Sequence, residues 1–195
     1  MNMAILVLAA GSSTRMGQPK QLLRAGGRTL LQICLETALA SHCSEVCCVL
    51  GAHATELRQH IQKYPVQLIE NPHYQQGLSS SLRVGIAQLE KEEVEAAMVL
   101  LADMPNVSTA HLNELIDRFH EHPQQPAATA YANGLGVPAI FPATYFPKLK
   151  ALKGDQGARA LLNQDTQEIS SLPFSDLTDI DTPEDFRAFL RKRQE

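Results

Sequence analysis

The sequence predicts an α/β fold in three layers, with helices on both faces of a mostly parallel central sheet and an antiparallel excursion in the C-terminal half. Three observations carry this reading. Through residue 125, short apolar runs alternate with amphipathic helical patterns, as in a chain of β and α units. Two runs, MAILVLA at 3–9 and AAMVLL at 96–101, are apolar throughout, as strands covered on both faces must be. Beyond residue 125 the pattern breaks into PAATAYA and VPAIF, punctuated by Gly134, Gly136, Pro138 and Pro142, which fits antiparallel strands and turns.

In chain order, Met3 to Ala9 reads as a buried strand, and Thr29 to Ala40 as a helix on the spacing of Leu30, Ile33, Leu35 and Leu39. Glu45 to Leu50 is a second strand, Thr55 to Gln62 a short helix and Val66 to Ile69 a third strand. Ser79 to Leu89 places Leu82, Ile86 and Leu89 on one helical face. The strand at Ala96 to Leu101 gives way to Asp103, and Pro105 blocks its extension. Ser108 then caps a helix reaching about His120, with Val107 and Leu112 spaced as a hydrophobic staple. Helices resume at Tyr145 to Leu152 and Gln156 to Leu162. Near the end, Thr182 is a cap, Pro183 suits the first helical position, and Glu184 and Asp185 suit the helix dipole.

Composition bounds the function. A chain of 195 residues is expected to form one domain with a substantial core, and 44% hydrophobic and 19% charged residues are ordinary for a globular protein. The formal charge of −4 gives no global attraction to nucleic acid, so a polyanionic ligand must meet local charge. No apolar run approaches a membrane span, and the first residues enter a strand without a basic region or cleavage site, which sets the expectation of a cytoplasmic protein. Cys34, Cys43, Cys47 and Cys48 lack zinc-like pairing and read as reduced, mostly buried thiols, with Cys47 and Cys48 on opposite faces of a strand.

Residues 6–23, LVLAAGSSTRMGQPKQLL, carry the strongest chemical signal: a strand, a glycine- and hydroxyl-rich loop, then an arginine and a lysine. Small residues let backbone N–H groups approach phosphate oxygens, Ser12, Ser13 and Thr14 add hydroxyl donors, and Arg15 and Lys20 supply charge. The spacing excludes a Walker loop, because five residues separate Gly11 from Gly17 and Gln18-Pro19-Lys20 follows. It also excludes the dinucleotide fingerprint, since no GxGxxG is present and Pro19 disfavours a helix running on from Gly17.

Asp103 ends a strand expected beside the first one, which puts a carboxylate at the same sheet edge as the loop, where it can hold Mg²⁺ on phosphates. Asp181, crowded by Asp179 and Asp185, reads either as a second such carboxylate or as a solvated acidic helix start. Asn71 and Gly77-Leu78-Ser79-Ser80-Ser81 lie between a strand and a helix, offering donors to a ribose or base or simply capping the helix. Lys153 to Arg159, KGDQGAR, is either a turn capped by Asp155 or part of a second substrate site. The seven histidines show no ligand spacing, and His53, His120 and His122 fit solvated or capping roles. Arg187, Arg191, Lys192 and Arg193 fit a solvated helix face. No GxSxG elbow and no evident Cys–His pairing supports covalent hydrolysis.

Taken in order, the loop, LLADMP, GLSSSLRVGI, KGDQGAR and DIDTPEDF resemble the molybdenum cofactor cytidylyltransferase family, within the MobA-like nucleotidyltransferases, over essentially the full length. The resemblance implies a Rossmann-like nucleotidyltransferase fold, with a nucleotide-binding half at 1–125 and an acceptor-binding half at 126–195. It implies attack by the terminal phosphate of molybdopterin cofactor on the α-phosphorus of CTP, releasing pyrophosphate. Matching motif positions assigns Lys20, Arg15 and Asp103 to catalysis, and Ala9, Ala10, Gly11, Ser12, Ser13 and Gly17 to the triphosphate. Asn71, Gly77, Ser79 and Ser80 go to the nucleoside, and Asp103 and Asp181 to Mg²⁺. An apo-molybdoenzyme client is a further implied partner.

Ala10 stands where GTP-using relatives tend to carry glycine, which points to CTP over another nucleotide. Val137, in Gly136-Val137-Pro138, stands where relatives usually carry histidine. Two competing functions share these motifs. One is a nucleotidyltransferase acting on a sugar phosphate, expected to be more polar than PAIFPATYFPKL. The other is a chaperone that only holds and delivers cofactor, which would not need Lys20 and both aspartates.

Overall fold

A computed structural model describes residues 1–163, 168–174 and 179–193. The first strand, β1 (Met3–Leu8), leads through 3₁₀ turns at Thr14–Met16 and Lys20–Leu22 into a minute hairpin, β2 (Arg24–Ala25) and β3 (Arg28–Thr29). Helix α1 (Leu30–Leu39) follows, entered through a capping box in which the Thr29 hydroxyl accepts from the Gln32 N–H at 3.2 Å and the Gln32 side chain accepts from the Thr29 N–H at 2.9 Å. Then come β4 (Glu45–Leu50), α2 (Ala54–Ile61), β5 (Gln67–Glu70), α3 (Leu78–Lys91), β6 (Ala96–Leu101) and α4 (Thr109–Glu121), the last capped by Ser108. The C-terminal part contributes β7 (Ala127–Tyr131), β8 (Gly134–Pro142), α5 (Phe146–Ala151), α6 (Arg159–Leu162), β9 (Ser170–Pro173) and α7 (Pro183–Lys192).

One seven-stranded sheet runs in the order β5-β4-β1-β6-β8-β7-β9. All neighbouring pairs are parallel except β6–β8 and β8–β7, so the antiparallel excursion is a hairpin whose returning strand inserts between β6 and β7. The period-two alternation of each strand divides the core between the faces. Ile5, Val7, Cys48, Leu50, Met98 and Leu100 pack under α1, α2 and α4. Leu6, Leu8, Cys47, Val49, Ala97 and Val99 pack under α3, α5 and α6. Cys47 and Cys48 therefore do face opposite ways, and all four cysteines are free thiols. A third, smaller core joins Met16, Leu23, Leu30 and Ile33 to Ile180 and Phe189, fastening α7 to the segment that follows β1. No helix among the described residues is long and apolar enough to cross a membrane.

Three departures from the sequence expectation have simple causes. The helix expected at Gln156–Leu162 begins only at Arg159, because Gly154 and Gly157 leave 153–158 as a turn. Strand β9 went unforeseen, since Ser-Ser-Leu-Pro buries only Leu172 at a sheet edge. The β2–β3 hairpin is two residues per arm, too short for any periodicity to register.

Candidate active site

The loops after β1 and β6 leave the same sheet edge, because the two strands pair in parallel with Leu8 opposite Leu101. A third segment joins them there. The Ile180 N–H donates to the Asp103 carbonyl at 3.1 Å, while the Ile180 side chain is fully buried in the small third core. The next two N–H groups, of Asp181 and Thr182, both donate to the Asp185 carboxylate, at 3.2 and 2.8 Å, inside the capping box that opens α7. Asp181 is thus held between a buried isoleucine and a capped helix, next to Asp103.

Lys20 bridges the two carboxylates. Its Nζ donates to Asp103 Oδ2 and, at 2.7 Å, to Asp181 Oδ1, and Arg15 Nη2 donates to Asp181 Oδ2 at 2.9 Å. The lysine backbone is fixed by a donation from its N–H to Ser13 Oγ at 3.1 Å. Ser13 in turn donates to Gln21, whose amide donates to the carbonyls of Ala9 and Gly11 at 3.2 and 2.9 Å. Gln21 is 3% exposed, so the loop is built around a buried amide that takes up carbonyls the strand no longer pairs. Burial opposes the charge on Lys20, but Asp103 and Asp181 outweigh it and hold the ammonium above its ordinary value. Burial likewise pushes Asp181 up, and Lys20 and Arg15 outweigh that, leaving its carboxyl below the usual range.

The donor set fits a small divalent cation. Two carboxylates at adjacent strand and loop ends already share one cation, and Asp103 Oδ1 is buried without a hydrogen-bond partner among the described residues. Mg²⁺ is held in this way, by one or two carboxylates with phosphate and water oxygens completing its shell.

A cleft of about 610 Å³ opens over this cluster. Ala10, Gly11, Ser12, Ser13, Arg15, Lys20, Gly77, Asp103 and Asp181 line it. The remaining residues assigned from sequence do not. Ala9 is core, and Gly17 closes the first 3₁₀ turn in a left-handed conformation. Asn71 is 1% exposed and donates to the Ser80 and Ser81 hydroxyls at 2.8 and 3.0 Å, so it braces the start of α3. Ser79 and Ser80 are buried with it, and it is Ser81, one position further on, that reaches the cleft. Gln21, Tyr74 and Asp155 also line the cleft, and the sequence did not single them out for the nucleotide. The helical offset between Ser80 and Ser81 could have been read from the apolar face of α3; the buried role of Gln21 carries no sequence signal.

Gly77 shapes one wall. Its φ is +93°, and a Cβ there would lie 2.4 Å from the Gly154 carbonyl group, so only glycine lets the KGDQGAR turn close against α3. The Gly154 carbonyl accepts from the Ser79 N–H at 3.1 Å. Asp155 is not a helix cap, since α6 starts at Arg159 behind Ala158. It lies over Gly77, where it lines both the cleft and a second cavity of about 240 Å³. That second cavity is floored by Leu78, Val99, Leu101, Met104 and Val137, with Arg159 and Asp179 at its edge. Tyr131 crosses it to donate to the Val137 carbonyl at 2.5 Å.

Comparison with known proteins places this geometry. A family model described as a MobA-like NTP transferase domain matches residues 5–169. The purine catabolism protein PucB of Bacillus subtilis is 33% identical, covering 92% of this chain and 91% of its own. Nicotine blue oxidoreductase of Paenarthrobacter nicotinovorans is 30% identical over 95% of each chain, and molybdenum cofactor cytidylyltransferase of Escherichia coli is 26% identical over 93% and 92%. Among solved structures, Rv0371c of Mycobacterium tuberculosis in complex with manganese superposes with a TM-score of 0.82 at 28% identity, covering 98% of this chain and 99% of that one.

Proposed function

The chain belongs to the MobA-like NTP transferase family and is a nucleotidyltransferase, and we propose that it moves CMP from CTP to the terminal phosphate of a molybdopterin-type cofactor, releasing pyrophosphate. The observation that carries this reading is the Lys20–Asp103–Asp181 cluster, set beneath a loop of small and hydroxyl residues and continuous with a second, apolar cavity. The cleft is the place for the triphosphate and nucleoside, and the second cavity, walled by residues of the acceptor half, is the place for the flat acceptor.

In this reading the nucleophile is an anionic phosphate oxygen, so no strong base is required. It attacks the α-phosphorus, a new P–O bond forms, and the bond to the departing pyrophosphate breaks. The protein's work is alignment and neutralisation of charge. Arg15 and Lys20 pair with phosphate oxygens, and the backbone of Ala10 to Ser13 closes around them. Asp103 and Asp181 hold Mg²⁺, which when bound supplies positive charge to the α-phosphate and the leaving group. Asp155 and Ser81 are placed to receive the nucleoside side of the cleft. The manganese complex of Rv0371c supports a divalent ion in this family, and the Escherichia coli cytidylyltransferase supports the nucleotide and acceptor. Ala10, lining the cleft where GTP-using relatives tend to carry glycine, adds to the case for CTP.

One observation favours a second reading of the acceptor alone. Val137 lies in the second cavity and puts an isopropyl group where relatives usually carry an imidazole, which suits a different phosphorylated acceptor. The test is pyrophosphate release by purified protein with Mg²⁺, given each nucleoside triphosphate in turn with molybdenum cofactor or a sugar phosphate. Preference for CTP with the cofactor is expected. Equal rates with GTP overturn the nucleotide assignment, and turnover only on the sugar phosphate overturns the acceptor.

A further inference from the structure

Cations occupy three of the four carboxylate oxygens in the Asp103–Asp181 pair. Lys20 takes Asp103 Oδ2 and Asp181 Oδ1, Arg15 takes Asp181 Oδ2, and only Asp103 Oδ1 is left. A divalent ion that uses both aspartates therefore cannot simply add to this arrangement. Lys20 stands between the two carboxylates, so an ion that bridges them there meets its ammonium at close range, and repulsion favours moving the lysine away.

We propose that Lys20 is a place-holding cation whose removal makes metal capture conditional on a triphosphate. The proposal rests on the reading of Asp103 and Asp181 as metal ligands. The exchange is built into the loop. The Lys20 main chain is pinned by Ser13, while its four-carbon stem leaves the ammonium free to swing within the cleft toward the wall formed by Gly11 to Thr14. Without a triphosphate, a metal ion entering the pair drives a lysine that is only 15% exposed off the two carboxylates that hold it. With a triphosphate, the ammonium exchanges one set of anionic oxygens for another, and the vacated carboxylates take the metal. Arg15, far more exposed than Lys20, follows the same path from Asp181. Metal and nucleotide thus bind with positive coupling, each raising the affinity of the other by the same factor. A bare divalent ion is not retained in a form that could hydrolyse an incoming nucleotide unproductively.

The test uses Mn²⁺ as a paramagnetic probe, followed by electron paramagnetic resonance on the full-length protein, alone and with a CTP analogue carrying a methylene bridge between the α- and β-phosphorus. Wild type is expected to bind Mn²⁺ weakly alone and tightly with the analogue. Lys20→Met is expected to bind Mn²⁺ alone at least tenfold more tightly than wild type and to lose most of the gain from the analogue. Lys20→Gln repeats the measurement should the methionine variant fold poorly by circular dichroism. Equal affinity of wild type and both variants for Mn²⁺ alone, with Asp103→Asn abolishing it in each, overturns the exchange while leaving the metal site standing. No protein-bound Mn²⁺ in any variant, with or without the analogue, overturns the metal reading and the exchange with it.

Discussion

The Ile180 N–H donates to the Asp103 carbonyl at 3.1 Å, and this single backbone bond joins the strand-end carboxylate to the segment bearing the second one. The two aspartates are 78 positions apart in the chain. They meet because Ile180 is sunk in the same small core as Phe189, while α7 is capped immediately after Asp181.

That core can be loosened without touching either carboxylate. Phe189 is 1% exposed, so Phe189→Ala should cost about 3–5 kcal/mol of stability, with Phe189→Leu milder. The dose of Mg²⁺ needed for half-maximal turnover should rise in both, since Asp181 loses its anchor. Chemical denaturation and a metal titration of the rate check the two effects; a Phe189→Leu enzyme with unaltered metal dependence would detach the core from the site.

Asp103→Asn keeps the shape and removes the charge. Its side chain is only 14% exposed but packs little apolar surface, so the fold should persist while turnover falls by on the order of 10²–10³. Steady-state pyrophosphate release together with a thermal melt separates these outcomes.

Gly77→Ala tests the contact between the start of α3 and the turn at 153–158. The new methyl meets the Gly154 carbonyl at 2.4 Å in a backbone region that penalises side chains, a strain of about 1–3 kcal/mol. Because the displaced turn carries Asp155 into both cavities, KM should increase for nucleotide and acceptor together. Initial-rate kinetics with each substrate varied would reveal an increase confined to one of them.

His111 gives the fold a pH dependence of its own. It is 7% exposed, its ring lies 2.9 Å from the Thr129 hydroxyl and 4.6 Å from the Phe174 ring centre, and burial lowers its pKa despite nearby Glu114. The neutral form is favoured by folding, so this stability is fully present above the unfolded value of about 6.5. As pH falls below that, the unfolded chain takes up a proton first, and stability declines by up to about 1.4 kcal/mol per pH unit until the folded pKa is passed. Urea denaturation between pH 5 and 8 should show this slope in wild type and a flatter one in His111→Gln.

The fold was readable wherever one strand or helix buried a continuous face. β4 and β6 begin and end where the apolar runs do, and Ser108 and Thr182 cap the helices expected of them. What escaped was held by contacts remote in sequence. Leu172 alone anchors β9, and the turn at 153–158 owes its shape to the close approach of Gly77. The site divided the same way. The loop lining the cleft announces itself by its small residues and its two cations. Asn71, Ser79 and Ser80 are polar residues between a strand and a helix, and nothing local tells a ligand-facing hydroxyl from one spent on bracing the helix. Gln21 is the converse, an unremarked amide that turns out to hold the loop together.

The insertion of β8 between β6 and β7 has an evolutionary consequence. Val137 lies on β8 and Asp103 just beyond the end of β6, the strand that β8 pairs with, so the spacing between the two cavities is tied to the sheet. Residues at the β8 end can drift and recruit a new acceptor while the phosphate machinery keeps its alignment. Such a scaffold lets relatives diverge in what they modify without having to reinvent how they do it.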